Sequence, residues 1–206
     1  MREPGPRPGR QPVREPMDLG AYTERARTGP CFICAFLSGH PDYEHHVVAQ
    51  DNEHVAFLDR WPTLPGKVLV APKRHIEHAV RDLDEPAYVG LMLFVRRVAL
   101  AMEQVCQPQR TYLYSLGSQQ GNAHIHWHIA GLPPGVPYEN QQFHALMAEN
   151  GVINAPPEDM EAVAARLHQA LTSTLEETVR TVRTKAGLEP PPTRYPGDRP
   201  SPTEAS

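Results

Sequence analysis

The chain has 206 residues, 23 of them proline, and its 20 Lys+Arg against 24 Asp+Glu give a formal net charge of -4. That length fits one fold with flexible ends, and the charge supplies no field to hold a nucleic-acid backbone, which excludes a protein built to coat DNA or RNA. No apolar run approaches the roughly 18 residues of a membrane-spanning helix, and the first residues lack the apolar core of a secretory signal. The expectation is a cytoplasmic protein whose partners include neither a nucleic-acid polymer nor a membrane.

Prolines crowd both ends, from Pro4 to Pro16 and again from Pro190 to Pro202. Segments of this composition bury too little apolar surface to offset their ordering entropy. Residues 1–26 and 188–206 are therefore expected to be disordered tails around a domain at 27–137 and a helical extension at 138–187. Within the domain, a short turn of helix is predicted from Cys31 to Leu37, ended by Ser38-Gly39. Short β-branched or apolar runs at 46–49, 55–58 and 68–71 read as strands of an antiparallel meander. Asp84 is placed to cap a helix running to about Val105, with Leu91, Val95, Val98 and Met102 along one face and Pro108 beyond its end. Strands follow at 112–116 and 124–130, joined by a polar loop at 117–122, and helices at about 141–149 and from Glu158 to about Lys185. Strands, one long helix, more strands and then helices make an α+β fold, an antiparallel sheet with a helical C-terminal extension.

Two features carry chemistry. Cys31 and Cys34 form a Cys-x-x-Cys pair, which in a reducing compartment reads as metal or redox chemistry, and Cys106 is left over as a small core residue. The second is His124-Ile125-His126-Trp127-His128-Ile129. On a strand, side chains alternate with period two, so three imidazoles share one face while Ile125, Trp127 and Ile129 face a core. Two readings of that face compete. Alternate histidines can chelate a zinc that keeps an open position for activated water. Alternatively, one neutral imidazole attacks phosphorus, its tautomer fixed by a hydrogen bond on the other nitrogen, while its neighbours bind phosphate oxygens. Periodicity does not separate them. His40, His45, His46, His54, His78, His144 and His168 fall outside these motifs and read as surface or packing residues.

The run His124-Ile-His-Trp-His-Ile-Ala130 fits the His-φ-His-φ-His-φ-φ signature, with φ apolar, and on this the chain resembles the histidine triad (HIT) superfamily. The likeness extends through Cys31-Phe-Ile-Cys34, Ala56-Phe-Leu-Asp59, the Pro65-to-Ile76 segment and the loop before the triad, covering about residues 29–135. It implies an α+β nucleotide-binding domain, a homodimer, that cleaves at an α-phosphate. Carried onto these residues, it makes His126 the nucleophile, His128 an α-phosphate contact that helps the leaving group depart, and Asp59 a partner for the ribose hydroxyls. Phe57 falls at a nucleoside-pocket position, and Gln120 and Gly121 in a loop that lends groups to phosphate oxygens. A bacterial branch holds a structural zinc, and Cys31, Cys34, His75 and His124 occupy the corresponding positions.

Two substitutions depart from the family pattern. Lys67 stands where many relatives have histidine, which favours a more highly charged substrate by Coulomb attraction, and Ser115 stands near a common asparagine. Histidine rather than glutamine at His128 favours hydrolysis over nucleotidyl transfer. The expected function is hydrolysis of dinucleoside polyphosphates such as diadenosine tetraphosphate, or of nucleoside phosphoramidates, with release of AMP. No organic cofactor is expected, and whether a divalent metal accompanies the substrate stays open. The alternatives are a nucleotide-binding module with little turnover and a zinc-dependent hydrolase. The extension at 138–187 either builds a dimer interface or covers the cleft.

Overall fold

The computed structural model describes residues 13–116 and 123–185. The chain divides into two units, Met1–Thr172 and Ser173–Ser206. The sheet and the site lie in the first, and the described part of the second is the last turns of the final helix. Among the described residues no helix is long and apolar enough to cross a membrane.

The elements in chain order are β1 (Arg14–Glu15), α1 (Leu19–Thr28), α2 (Phe32–Leu37), β2 (Val47–Gln50), β3 (His54–Leu58), β4 (Val68–Pro72), α3 (Glu85–Cys106), β5 (Arg110–Tyr114), β6 (Trp127–Leu132), α4 (Phe143–Leu146), β7 (Val152–Ile153) and α5 (Pro157–Lys185). A five-stranded antiparallel sheet has the order β2-β3-β4-β6-β5. Its central strands are buried throughout because both faces are covered. Alternation sorts the side chains: Ala56, Leu58, Val68, Val70 and Ile129 pack under α3, whereas Val55, Phe57, Leu69 and Ala71 turn to the other face, under α2.

Helix α3 begins where Asp84 Oδ1 accepts from the Ala87 N–H at 2.8 Å, with Pro86 in its first turn, and ends at Gln107 in the left-handed region at φ 46°. Its buried stripe includes Leu91, Phe94, Val95, Val98 and Met102. The first turns of α5 add Ala164, Leu167, Ala170 and Leu171 to the same core, so this part of the extension packs on the side of the sheet away from the triad face.

Three expectations change. The tail expected through residue 26 contains ordered structure from Arg14 onward. Arg14 and Glu15 pair with Ile153 and Val152, the Arg14 guanidinium donates to the Ala145 carbonyl at 2.9 Å, and Asp18 Oδ1 caps α1 through the Ala21 N–H at 2.9 Å. A few polar anchors and one aromatic contact of Tyr22 on Trp61 order a segment whose composition predicts none. The helix expected at 141–149 is only α4, flanked by 3-10 turns at Tyr138–Asn140 and Ala148–Asn150. Gln142, the N-cap of α4, has φ 51° and ψ -124°, and Gly151, after the last 3-10 turn, has φ 92° and ψ 162°, neither of them helical, and a Cβ on Gly151 would lie 3.0 Å from both Arg14 Cβ and the Glu15 carbonyl oxygen. Glycine there is what lets β1 approach β7. Finally, β6 begins at Trp127 rather than residue 124, because the Ile125 N–H leaves the ladder to bond the Ile76 carbonyl at 2.7 Å.

Candidate active site

The sheet face opposite α3 opens into a cavity of about 170 Å³ whose lining includes His126, His128, Asp59, Lys67, Trp61 and Phe32. Cross-strand register builds its floor. Leu69 lies opposite His128 on β4 and β6, and Tyr114 lies opposite His128 on β5 and β6. The Tyr114 and His128 rings stack at 4.6 Å with 6° between planes. Although Ile125 and His126 sit outside the ladder, Ile125 and Ile129 are buried under α3, so the alternation read from the sequence survives.

His126 Nδ1 lies 2.9 Å from the His124 carbonyl oxygen. A carbonyl only accepts, so Nδ1 carries the hydrogen and Nε2 keeps the lone pair. Burial lowers the His126 pKa, which holds the ring neutral. Phe32 meets the ring edge to face at 5.6 Å and 89°, fixing its tilt. His128 is also held neutral, primarily by burial and then by the charge of Lys67. Three polar atoms in this region, Thr63 Oγ1, the Tyr114 hydroxyl oxygen and His128 Nδ1, are buried without a hydrogen-bond partner among the described residues.

Lys67 Nζ pairs with Asp59 Oδ2 at 2.9 Å, both side chains largely buried, and Asp59 Oδ1 accepts from the Trp61 N–H at 3.0 Å. Burial alone would raise the Asp59 carboxyl and lower the Lys67 ammonium, but each charge outweighs the other's desolvation, so Asp59 is lowered and Lys67 raised. The charge expected at Lys67 is thus offset inside the site by Asp59. The Asp59 contribution to stability is present in full above the ordinary carboxylate range near pH 4 and is lost as pH falls through its lowered pKa. Lys67→Met should destabilise the fold by roughly 3 kcal/mol, because it strands a buried carboxylate. Adding Asp59→Asn should restore most of that in urea unfolding, and an additive double variant would show that the two charges are independent.

The other expected site residues are placed unevenly. Phe57 is fully buried between Phe36 and His45, with ring centroids at 4.9 and 4.8 Å, and does not line the cavity. Ser115 lies just beyond β5, half-buried and away from the cavity lining. Gln120 and Gly121 lie outside the described residues. The wall instead includes groups the sequence reading passed over: Met17, Tyr22, Arg25, His45, Arg60 and Trp61. His45 packs on Phe36 as well as Phe57. A Trp two residues after Asp59 was the one signal available.

Beside the triad, Cys31, Cys34, His75 and His124 offer ligand atoms that all lie within 4.8 Å of one another. His124 Nε2 donates to the Pro72 carbonyl at 2.9 Å, which turns its Nδ1 lone pair to Cys31 Sγ at 3.5 Å and Cys34 Sγ at 3.6 Å. His75 Nδ1 lies 3.3 Å from Cys34 Sγ, and its Nε2 lies 3.2 Å from the Glu77 carboxylate, an outer partner of the kind that orients metal-binding imidazoles. A tetrahedral zinc with Zn–S near 2.3 Å and Zn–N near 2.0–2.1 Å separates its ligand atoms by roughly 3.3–3.8 Å. The three N–S separations, 3.3–3.6 Å, fall within that range. Burial and the neighbouring Cys31 push the Cys34 thiol up to about 11, so paired thiolates here call for a cation. His124 faces the cysteines while His126 Nδ1 turns to a carbonyl, so the three triad rings do not converge on one metal.

The family model described as HIT domain matches residues 40–134. Residues 40–134 are a HIT domain. An uncharacterized HIT-like protein of Saccharolobus solfataricus is 29% identical over 103 residues, 48% of this chain and 71% of that one. Protein hit of Bacillus subtilis is 26% identical over 144 residues, 69% of this chain and 95% of its own length. A zinc-bound histidine triad family protein from Mycobacterium smegmatis shares the fold with a TM-score of 0.57 at 22% identity, covering 71% of this chain and 96% of that one. A hypothetical histidine triad nucleotide-binding protein of Sulfolobus tokodaii gives the same TM-score and identity over 69% and 93% of the two chains. The HIT domain contributes His75, His124, His126 and His128. Cys31, Cys34 and all of α1 precede it.

Proposed function

We propose that the chain is a nucleotide hydrolase acting at the α-phosphate of dinucleoside polyphosphates or nucleoside phosphoramidates. The observation that carries this reading is the tautomer of His126. Its Nε2 lone pair is available in a cavity that also presents His128, Asp59 and Lys67. Nε2 attacks the α-phosphorus, the N–P bond forms, and the bond to the leaving group breaks. A polyphosphate leaves as an anion, while an amine takes up a proton from solvent water as it departs. The phosphorylated ring is then cationic, and the His124 carbonyl, already bonded to Nδ1–H, stabilises it. His128, held neutral, acts as a hydrogen-bonding group toward phosphoryl oxygens rather than as a source of a full proton. Water attacks the phosphorus and gives up a proton to solvent, the N–P bond breaks, and the nucleoside monophosphate leaves with His126 neutral again. Asp59, with lone pairs left beyond its bonds to Lys67 and Trp61, accepts from ribose hydroxyls.

Diadenosine tetraphosphate mixed with the protein and quenched in alkali, where N–P bonds survive, should leave an adenylyl adduct on His126. An adduct on any other residue, or AMP release without one, would remove the covalent mechanism.

Zinc held by Cys31, Cys34, His75 and His124 would be structural, since four protein ligands leave no open position. It would cross-link α2 to the start of the triad segment. We also propose a homodimer. Val89, Leu93 and Leu100 form an exposed apolar stripe on α3, with Leu93 at 55% exposure. The Thr111 hydroxyl on β5 bonds Glu103 on α3, which sets that stripe beside the sheet edge formed by β5. Leu93→Glu should convert a dimer to a monomer in light scattering; a variant that keeps the wild-type mass would place the interface elsewhere.

A further inference from the structure

We infer that α1, together with the turn after Asp59, forms a second phosphate site that selects nucleotides carrying a phosphate group besides the one at His126. This rests on the hydrolase reading and names its substrate class more narrowly.

The Arg25 guanidinium lies 4.3 Å from the centre of the Trp61 ring and that of Arg60 5.2 Å from the same centre. The two charges are therefore no more than about 9.5 Å apart. Both residues line the cavity that holds His126 and His128. Among the described residues, neither guanidinium has a carboxylate within ion-pair distance. Arg60 Nη1 donates to the Asp42 main-chain oxygen at 3.0 Å, which fixes the group without neutralising it. Of the two carboxylates on this cavity, Asp59 is engaged by Lys67 and Asp42 forms no ion pair among the described residues, so the wall carries excess positive charge. Tyr22 meets Trp61 edge on at 5.9 Å and 86°, and Asp18 caps the helix that carries Tyr22 and Arg25.

A guanidinium near an indole has its side-chain entropy reduced in advance and can present N–H groups to two oxygens at once. Two such groups beside one ring, neither of them ion-paired to a carboxylate among the described residues, form an arrangement that an anion relieves. Lys67 does not fill this role, because its charge is already matched. The second phosphate sits either along a polyphosphate chain, as a bridged monoanion, or on the ribose, as a monoester that can carry two charges, and both present tetrahedral anionic oxygens to the arginines.

The test is calorimetric binding of AMP, a methylene-bridged non-hydrolysable analogue of diadenosine tetraphosphate and adenosine 3′,5′-bisphosphate to the full chain and to Arg25→Gln. Wild type should bind one of the two multiply phosphorylated ligands about tenfold or more tightly than AMP, since a charge-assisted bidentate contact is worth at least that. In Arg25→Gln that advantage should fall to threefold or less with AMP affinity unchanged. The ligand that shows the advantage locates the second phosphate. Equal losses for all three ligands, no loss, or no preference over AMP in the wild type would each overturn the inference while AMP binding leaves the hydrolase reading standing. Wild-type protein that binds none of the three would remove both.

Discussion

His126→Ala should lower AMP release from diadenosine tetraphosphate by about four orders of magnitude or more, since removing the group that forms the covalent intermediate leaves only binding and electrostatics to assist water. The expectation follows from how this ring is held. The His124 carbonyl fixes its tautomer at 2.9 Å and Phe32 its tilt, and burial keeps it uncharged. His128 does not substitute, because its stacking on Tyr114 holds it in a different plane, 62° from that of His126. The variant also leaves a buried carbonyl without its donor, at about 1–3 kcal/mol. Thermal melting and AMP binding should therefore accompany the rate measurement, and both should show a folded protein. Activity within tenfold of wild type in that folded variant would rule out His126 as nucleophile.

Cys34→Ser should release the metal and lower the melting temperature by roughly 10 °C, as several kcal/mol of cross-linking are lost in a fold of this size. A chelator should do the same slowly to the wild-type protein, with AMP release falling in step with unfolding. The linkage is physical. His124 offers Nδ1 to the cysteines and its carbonyl to His126, so the residue that would bind the ion also holds the nucleophile's tautomer. Protein that carries bound zinc but loses activity at once on chelation, with its melting temperature unchanged, would assign the metal to the chemistry instead. Protein that melts identically with and without metal would remove the structural role.

The sheet, the long helix and the chemical face of the triad were legible in the sequence because each rests on local periodicity. Ile125 and Ile129 alternate with the histidines, and Leu91, Val95, Val98 and Met102 recur at helical spacing. The cysteine and histidine positions likewise identified the cluster that the fold assembles, since the Cys-x-x-Cys and the alternating histidines are short-range patterns that folding only has to bring together. What the sequence left undecided depends on partners distant along the chain. Lys67 reads as a free cation until Asp59 is seen at 2.9 Å, and Phe57 reads as a pocket aromatic until Phe36 and His45 are seen to enclose it. The N-terminal segment reads as a proline-rich tail, yet Arg14, Tyr22 and Arg25 find Ala145 and Trp61 far along the chain. Composition reports how much apolar surface a segment can bury by itself; it does not report an anchoring surface that the rest of the chain provides. The triad spacing, the cysteine pair and the strands of the sheet were thus determined by the sequence alone, whereas the tertiary structure decided which charges are neutralised within the cavity and which remain for a substrate.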